Sequence, residues 1–166
     1  MQKIKPRCDD LSSTEENSRT PAGDAYTNLI HEILRIHGRI LAAGDRLTND
    51  LRLTSARWQV LGAIHSGGSA TVAKIARNMG LQRQSVQRVV DLLVEEGLIE
   101  LVTNPDHARA KLAQLTAAGR NKLRKVDQRQ VGWADRIARD MSPKAIAAAA
   151  SILRQLRERL EIDERG

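Results

Sequence analysis

The chain has 166 residues, a formal net charge of +7, 41% hydrophobic and only 2% aromatic residues, and no Phe. That length is enough for one domain with its own core, which must be built from Leu, Ile, Val and Ala, as helical packing permits. The positive charge favours a polyanionic partner, and no stretch approaches the roughly 18 consecutive apolar residues of a membrane span.

Residues 1–23 are polar, rich in Ser, Thr, Asp and Glu, free of apolar period, and interrupted by Pro6 and Pro21, so they read as a disordered tail. The start of the chain lacks the apolar core of a signal peptide, and cytoplasmic residence is expected. Cys8, the single cysteine, lies in this tail. It excludes an intrachain disulfide, and although Lys5 and Arg7 favour its thiolate, Asp9 and Asp10 oppose it.

Residues 24–47 form an amphipathic helix, with Leu29, Ile30, Ile33, Ile36, Ile40 and Leu41 on one face. From Thr71 to Gly80 a shorter helix follows from an N-capping Thr, apolar Val72, Ile75, Ala76 and Met79, and a terminal Gly. Only Leu81 and Gln82 separate it from the next helix, so the two must cross steeply, as in a helix-turn-helix. A pair of core helices shows the same period.

In that second helix Val86, Val89, Val90, Leu93 and Val94 recur at helical spacing and form the buried stripe. Arg83, Gln84, Gln87, Arg88 and Asp91 then lie on the wet face. Gln and Arg offer hydrogen-bonding forks matched to adenine and guanine edges, and Ser85 is small enough to let the backbone approach a duplex. Gly97 ends the helix at about Glu96.

Leu98–Thr103 and Lys111–Thr116 read as paired strands. Asn104, Pro105 and Asp106 supply the turn, while His107, Arg109 and Lys111 load its tip with donors. A helix fits a major groove while such a hairpin reaches the neighbouring backbone or minor groove; a merely solvated turn is the alternative. Thr116 to Met141 then reads as one long helix. Ser142 and Pro143 cap a last one, on which Ile146, Ala149, Ile152, Leu153, Leu156 and Leu160 recur.

Residues 48–116 hold eight basic and six acidic side chains, whereas 117–166 hold twelve and seven, so much of the positive excess lies beyond the hairpin. Arg120, Lys122, Arg124, Lys125 and Arg129 suit either the solvated face of a long helix or, for Arg120 and Lys122, contact with phosphates. No Gly-rich phosphate loop, no metal-ligand spacing among the scattered histidines and no Ser, His, acid constellation is evident. Neither an enzyme nor a cofactor or metal site is expected.

The stretches LTSARWQVLGAI (Leu53–Ile64), TVAKIARNMGLQRQSVQRVVDLLVEEGLIE (Thr71–Glu100) and NPDHARAKLAQLTAAGR (Asn104–Arg120) resemble the MarR family of bacterial winged-helix transcription regulators. The resemblance implies a mainly α (α+β) fold. A winged helix-turn-helix over 48–116 would carry DNA contacts from Thr71, Arg83, Gln84, Ser85, Gln87, Arg88, His107, Arg109 and Lys111. Helices over 24–47 and 117–166 would pair two copies, since one small winged domain cannot bury their apolar faces.

Two features depart from the family pattern. Gln82 stands where members often carry a Ser or Thr cap, and His107, Ala108 and Arg109 stand where many have an acid bracing the wing arginine.

The family also implies a homodimer on a pseudo-palindromic operator, a repressor acting by occlusion, and release by a small aromatic or phenolic effector. His31, His37, Trp58, His65 and Trp133 are candidates for lining an effector pocket, although each also suits an ordinary core or surface position. Two other roles are compatible with the chain: a winged-helix protein-interaction module, and a redox-sensing regulator using Cys8.

Overall fold

The computed structural model describes residues 19–107 and 109–163. Their contacts divide into two units, one up to Ala42 and one from Ala43 onwards. The first unit is the greater part of helix α1 (Pro21–Thr48). The Thr20 hydroxyl accepts from the Gly23 amide at 3.1 Å, and Pro21 supplies a first-turn φ without an N–H to satisfy. The helix therefore takes in Pro21–Gly23, which the sequence reading had assigned to the tail. The remainder of that tail, with Cys8, lies outside the described residues.

The second unit opens with the last turn of α1 and a short 3-10 turn (Asn49–Leu51), followed by α2 (Ser55–Gly67), which the sequence reading had not separated as an element. Thr48 is fully buried, its hydroxyl lying 2.7 Å from Leu53 O and 2.9 Å from Gly44 O, which share its single hydrogen. Next come α3 (Val72–Met79), α4 (Arg83–Glu95), strands β1 (Ile99–Val102) and β2 (Leu112–Leu115), and helices α5 (Ala117–Ile137) and α6 (Pro143–Asp163).

Two tight closures set the turn between α3 and α4 and the start of the hairpin. After α3, Gly80 takes φ 63 and Leu81 N donates to Ala76 O at 2.9 Å; after α4, Gly97 takes φ 68 and Leu98 N donates to Leu93 O at 2.8 Å. Both turns need a left-handed residue that glycine alone adopts without a Cβ penalty. Thr71 caps α3 through its hydroxyl, 3.2 Å from Lys74 N.

The strands are shorter than the sequence suggests, and at the end next to α4 and α5 the reason is visible. Leu98 N–H is spent closing α4, and Thr116 caps α5 by accepting from Gly119 N at 3.1 Å. The remaining residues pair antiparallel, Ile99 with Leu115 through Val102 with Leu112. Ala70 adds a bridge to Ala113, so the residue before the cap of α3 is hydrogen-bonded to the hairpin. At the other end, a Cβ on Gly119 would lie 2.1 Å from Leu98 O; α5 packs against the strand only because that side chain is missing.

α5 stops at Ile137, short of the expected Met141. Asp140 adopts a left-handed φ of 65, and Pro143 disfavours helical backbone in the residue before it. The Ser142 hydroxyl then caps α6, 3.4 Å from Ala145 N.

The core is aliphatic, as the composition requires. Leu61, Ile75, Val86, Val90, Leu93, Ile99, Ala113 and Val126 are essentially inaccessible, drawn from α2, α3, α4, the hairpin and α5. Trp58 is half-buried against this cluster. Each fully buried aliphatic side chain contributes about 1.5–3 kcal/mol relative to exposure. No helix among the described residues is long and apolar enough to cross a membrane.

Candidate nucleic-acid interface

α4 divides its residues as a recognition helix must. Val86, Val90 and Leu93 are buried and Val89 and Val94 pack on the core, while Arg83, Gln84, Ser85 and Arg88 are exposed and Gln87 is half-buried. The helix starts at Arg83 although Gln82 makes no side-chain cap. Ser85 N and Val86 N instead donate to the Gln82 carbonyl at 3.0 and 3.2 Å. The unfilled cap leaves the amides of Arg83 and Gln84 at the helix start, where the helix dipole favours negative charge.

The hairpin tip is wound by short bonds. Asn104 Oδ1 accepts from Asp106 N at 3.0 Å, His107 N reaches Asn104 O at 3.3 Å, and Ala110 N reaches His107 O at 3.1 Å. His107, Arg109 and Lys111 are exposed. Asp106 forms no ion pair with Arg109 among the described residues.

Thr71, Arg83, Gln87, His107, Arg109 and Lys111 surround one cleft of about 490 Å³ between α4, the start of α3 and the hairpin. Arg83, Gln84, Gln87 and Arg88 line a second, of about 470 Å³, on the outer face of α4. The structure thus gathers eight of the sequence-selected residues around two adjoining hollows. Ser85 stands apart, exposed on the same helix.

Three arginines near this surface are held within the protein. Arg57 bonds Glu96 at 2.6 Å and joins α2 to the end of α4. Arg129 bonds both carboxylate oxygens of Asp50, with Nη2 2.6 Å from Oδ2, and ties α5 to the 3-10 turn. Its guanidinium holds the Asp50 carboxyl below the usual 3.8, against a smaller opposing effect of desolvation. Arg120 donates to Leu115 O at 2.6 Å. Arg83, Arg88, Arg109 and Lys111 make no hydrogen bond or ion pair among the described residues.

Sequence reasoning missed what braces the hairpin. Ser69 Oγ donates to Gln114 Oε1 at 3.2 Å, and Gln114 Nε2 donates to Glu100 Oε1 at 2.9 Å, linking the loop before α3 to both strands. Glu100 and Gln114 are register partners, a pairing visible only once the strand alignment is known. Ser69 lies far away in sequence and carries no local signal.

The five effector candidates line neither hollow. His31 and His37 are exposed on α1 in the first unit. In the second, Trp58 is half-buried and His65 exposed on α2, and Trp133 is half-buried on α5. No cluster of three or more His, Cys, Asp or Glu suited to a metal occurs among the described residues.

A helix-turn-helix followed at once by a basic hairpin is a winged helix-turn-helix, the fold of the MarR family regulators. The chain belongs to the MarR family, whose model matches residues 53–110. It is 35% identical over 133 residues to an uncharacterized protein of Mycobacterium tuberculosis, covering 80% of this chain and 92% of that one. Among solved structures, it is similar to a MarR variant of Escherichia coli in complex with operator DNA, at 22% identity and a TM-score of 0.64, over 78% of this chain and 96% of that one. BpsR of Bordetella bronchiseptica, whose DNA binding is regulated by 6-hydroxynicotinic acid, superposes with a TM-score of 0.69 at 21% identity, over 78% and 98% of the two chains.

Proposed function

We propose that this regulator binds a pseudo-palindromic operator in double-stranded DNA as a homodimer, represses by occluding a promoter, and is released by a small aromatic or phenolic effector. Residues 48–116 are the reading head and the helices of 24–47 and 117–166 the pairing region, in a cytoplasmic protein without cofactor. Arg83, Gln84, Ser85, Gln87 and Arg88 enter the major groove, while Thr71, His107, Arg109 and Lys111 meet phosphates and the minor groove.

The observation carrying this reading is the gathering of Arg83, Arg88, Arg109 and Lys111 with Gln84 and Gln87 around two adjoining hollows on the outer side of α4 and the hairpin tip, with none of the four cations bound to another side chain. A cation left free costs no internal bond when it meets a phosphate or a base edge. Pairing is supported by α6, whose Ile152, Leu153 and Leu160 remain about half exposed. Two reading heads related by a twofold axis would meet half-sites one helical turn apart, roughly 34–36 Å.

Release by an effector is supported by the regulation of BpsR DNA binding by 6-hydroxynicotinic acid. Trp58 and Trp133, the two tryptophans of the chain, are half-buried and offer an emission signal for it. Titration with aromatic acids should change that emission and lower DNA affinity over the same concentration range. An emission change without loss of DNA affinity counts against release.

Polarisation titrations of fragments from the protein's own genomic neighbourhood, at two salt concentrations, test the central reading. A preferred fragment, with affinity falling steeply as salt rises, is expected. Weak binding that ignores sequence would instead favour a protein-interaction module.

A further inference from the structure

Arg83 and Gln87 are the residues that line both hollows. Their head groups differ: that of Arg83 is free, whereas Gln87 Nε2 donates to Asp91 Oδ1 at 2.8 Å, one helical turn further on. A carboxylate only accepts, so the amide must turn its nitrogen and not its oxygen towards Asp91. Asp91 is exposed and has no cationic partner among the described residues. On a surface that approaches phosphates, an unneutralised acid lowers affinity through like-charge repulsion. Its presence there points to a role other than attraction.

We infer that Asp91 is a positioning residue that holds the Gln87 amide so that it accepts adenine and rejects guanine. The inference rests on the DNA-reading role proposed above. Nε2 carries two hydrogens. With one committed to Asp91, the other N–H and Oε1 form one donor beside one acceptor. Adenine presents the complement in the major groove, an N7 acceptor next to the N6 amino donor, whereas guanine presents two acceptors, N7 and O6. An unheld glutamine is free to turn its amino group towards both guanine acceptors. The held one meets O6 with its own carbonyl oxygen. Asp91 therefore trades general affinity for discrimination, and its charge and its hydrogen-bond acceptance have separable effects.

The test is selection from a duplex library with a randomised core. Base preferences are counted at every position for the full chain and for Gln87→Ala, Asp91→Ala and Asp91→Asn, with melting temperatures checked in parallel. Asn keeps an acceptor oxygen at the same reach without the charge. Gln87→Ala should flatten the preference at one position per half-site. At that position, Asp91→Ala should reduce adenine-over-guanine preference roughly five- to tenfold, while Asp91→Asn retains most of it. Both Asp91 variants should bind unselected duplex more tightly, to about the same degree.

A wild-type preference for guanine at the Gln87-dependent position overturns the inference, as does an unchanged preference in Asp91→Ala or an equal loss in Ala and Asn. So does a selected motif that Gln87→Ala leaves intact. If the wild-type chain enriches no motif at all, the DNA-reading proposal itself fails, an outcome distinct from each of these.

Discussion

α4 and α6 treat their apolar side chains in opposite ways. In α4, Val86, Val90 and Leu93 vanish into a core completed by α2, α3, the hairpin and α5. In α6 no residue is buried, and Ile146, Ile152, Leu153, Leu160 and Ile162 are 40–69% exposed. The winged region closes on itself, so the outer face of α4 is free for another molecule. The last helix is left open, with its apolar stripe exposed, and on the pairing proposed above that stripe gains stability by meeting a second copy. Damage to one should appear as unfolding, damage to the other as failed assembly.

The largest break should come from Leu93→Ala. Leu93 is wholly inaccessible, and truncation in a core that cannot collapse costs about 2–5 kcal/mol, read as a lower urea midpoint. A loss below about 1 kcal/mol would mean that this core is looser than its burial indicates.

Arg88→Ala should weaken binding to the selected half-site by about 1–3 kcal/mol and relax base preference there. Arg109→Ala should weaken binding to most duplexes and reduce the salt slope by about one. Equal and small effects from both would argue against the docking proposed. Leu153→Glu should leave the urea midpoint of the winged region nearly unchanged while shifting sedimentation from dimer to monomer. If the variant sediments as wild type does, α6 is not the pairing surface.

The smallest effect concerns Asp50. Its folded pKa is depressed by Arg129, so the pair's contribution is present above the unfolded carboxylate value and is lost as pH falls through the lowered folded one. Wild type should therefore exceed Asp50→Asn in melting temperature at pH 7, and the gap should close only in acid, below about 4. A gap that stays constant down to pH 2 would exclude the ion pair as its source.

The sequence made α3, α4 and the hairpin legible because each carries local punctuation: Thr71 and Gly80, Gly97, and the run Asn104 to Asp106. The wet face of α4 followed from period alone, and six of the sequence-selected residues did meet at one hollow. Boundaries were less legible where a residue serves two elements. Thr116 is a strand residue by pattern and a helix cap in fact, and its hydroxyl also donates to Gly97 O at 2.7 Å. α2 lacks clear amphipathic period, since it packs against α3, α4, α5 and β2. The bonds between distant residues, Arg57 to Glu96, Asp50 to Arg129 and Ser69 to Gln114, depend on tertiary approach and leave no periodic trace.

Amide hydrogen exchange on the full chain, with and without a duplex carrying the selected site, tests the central claim most directly. DNA should slow exchange in the first turn of α4, at Arg83 to Ser85, and in the hairpin tip from Asn104 to Lys111, leaving α6 unchanged. Protection confined to α6 or α5, with the start of α4 and the hairpin tip exchanging as in the free protein, would contradict the assignment of that surface to DNA.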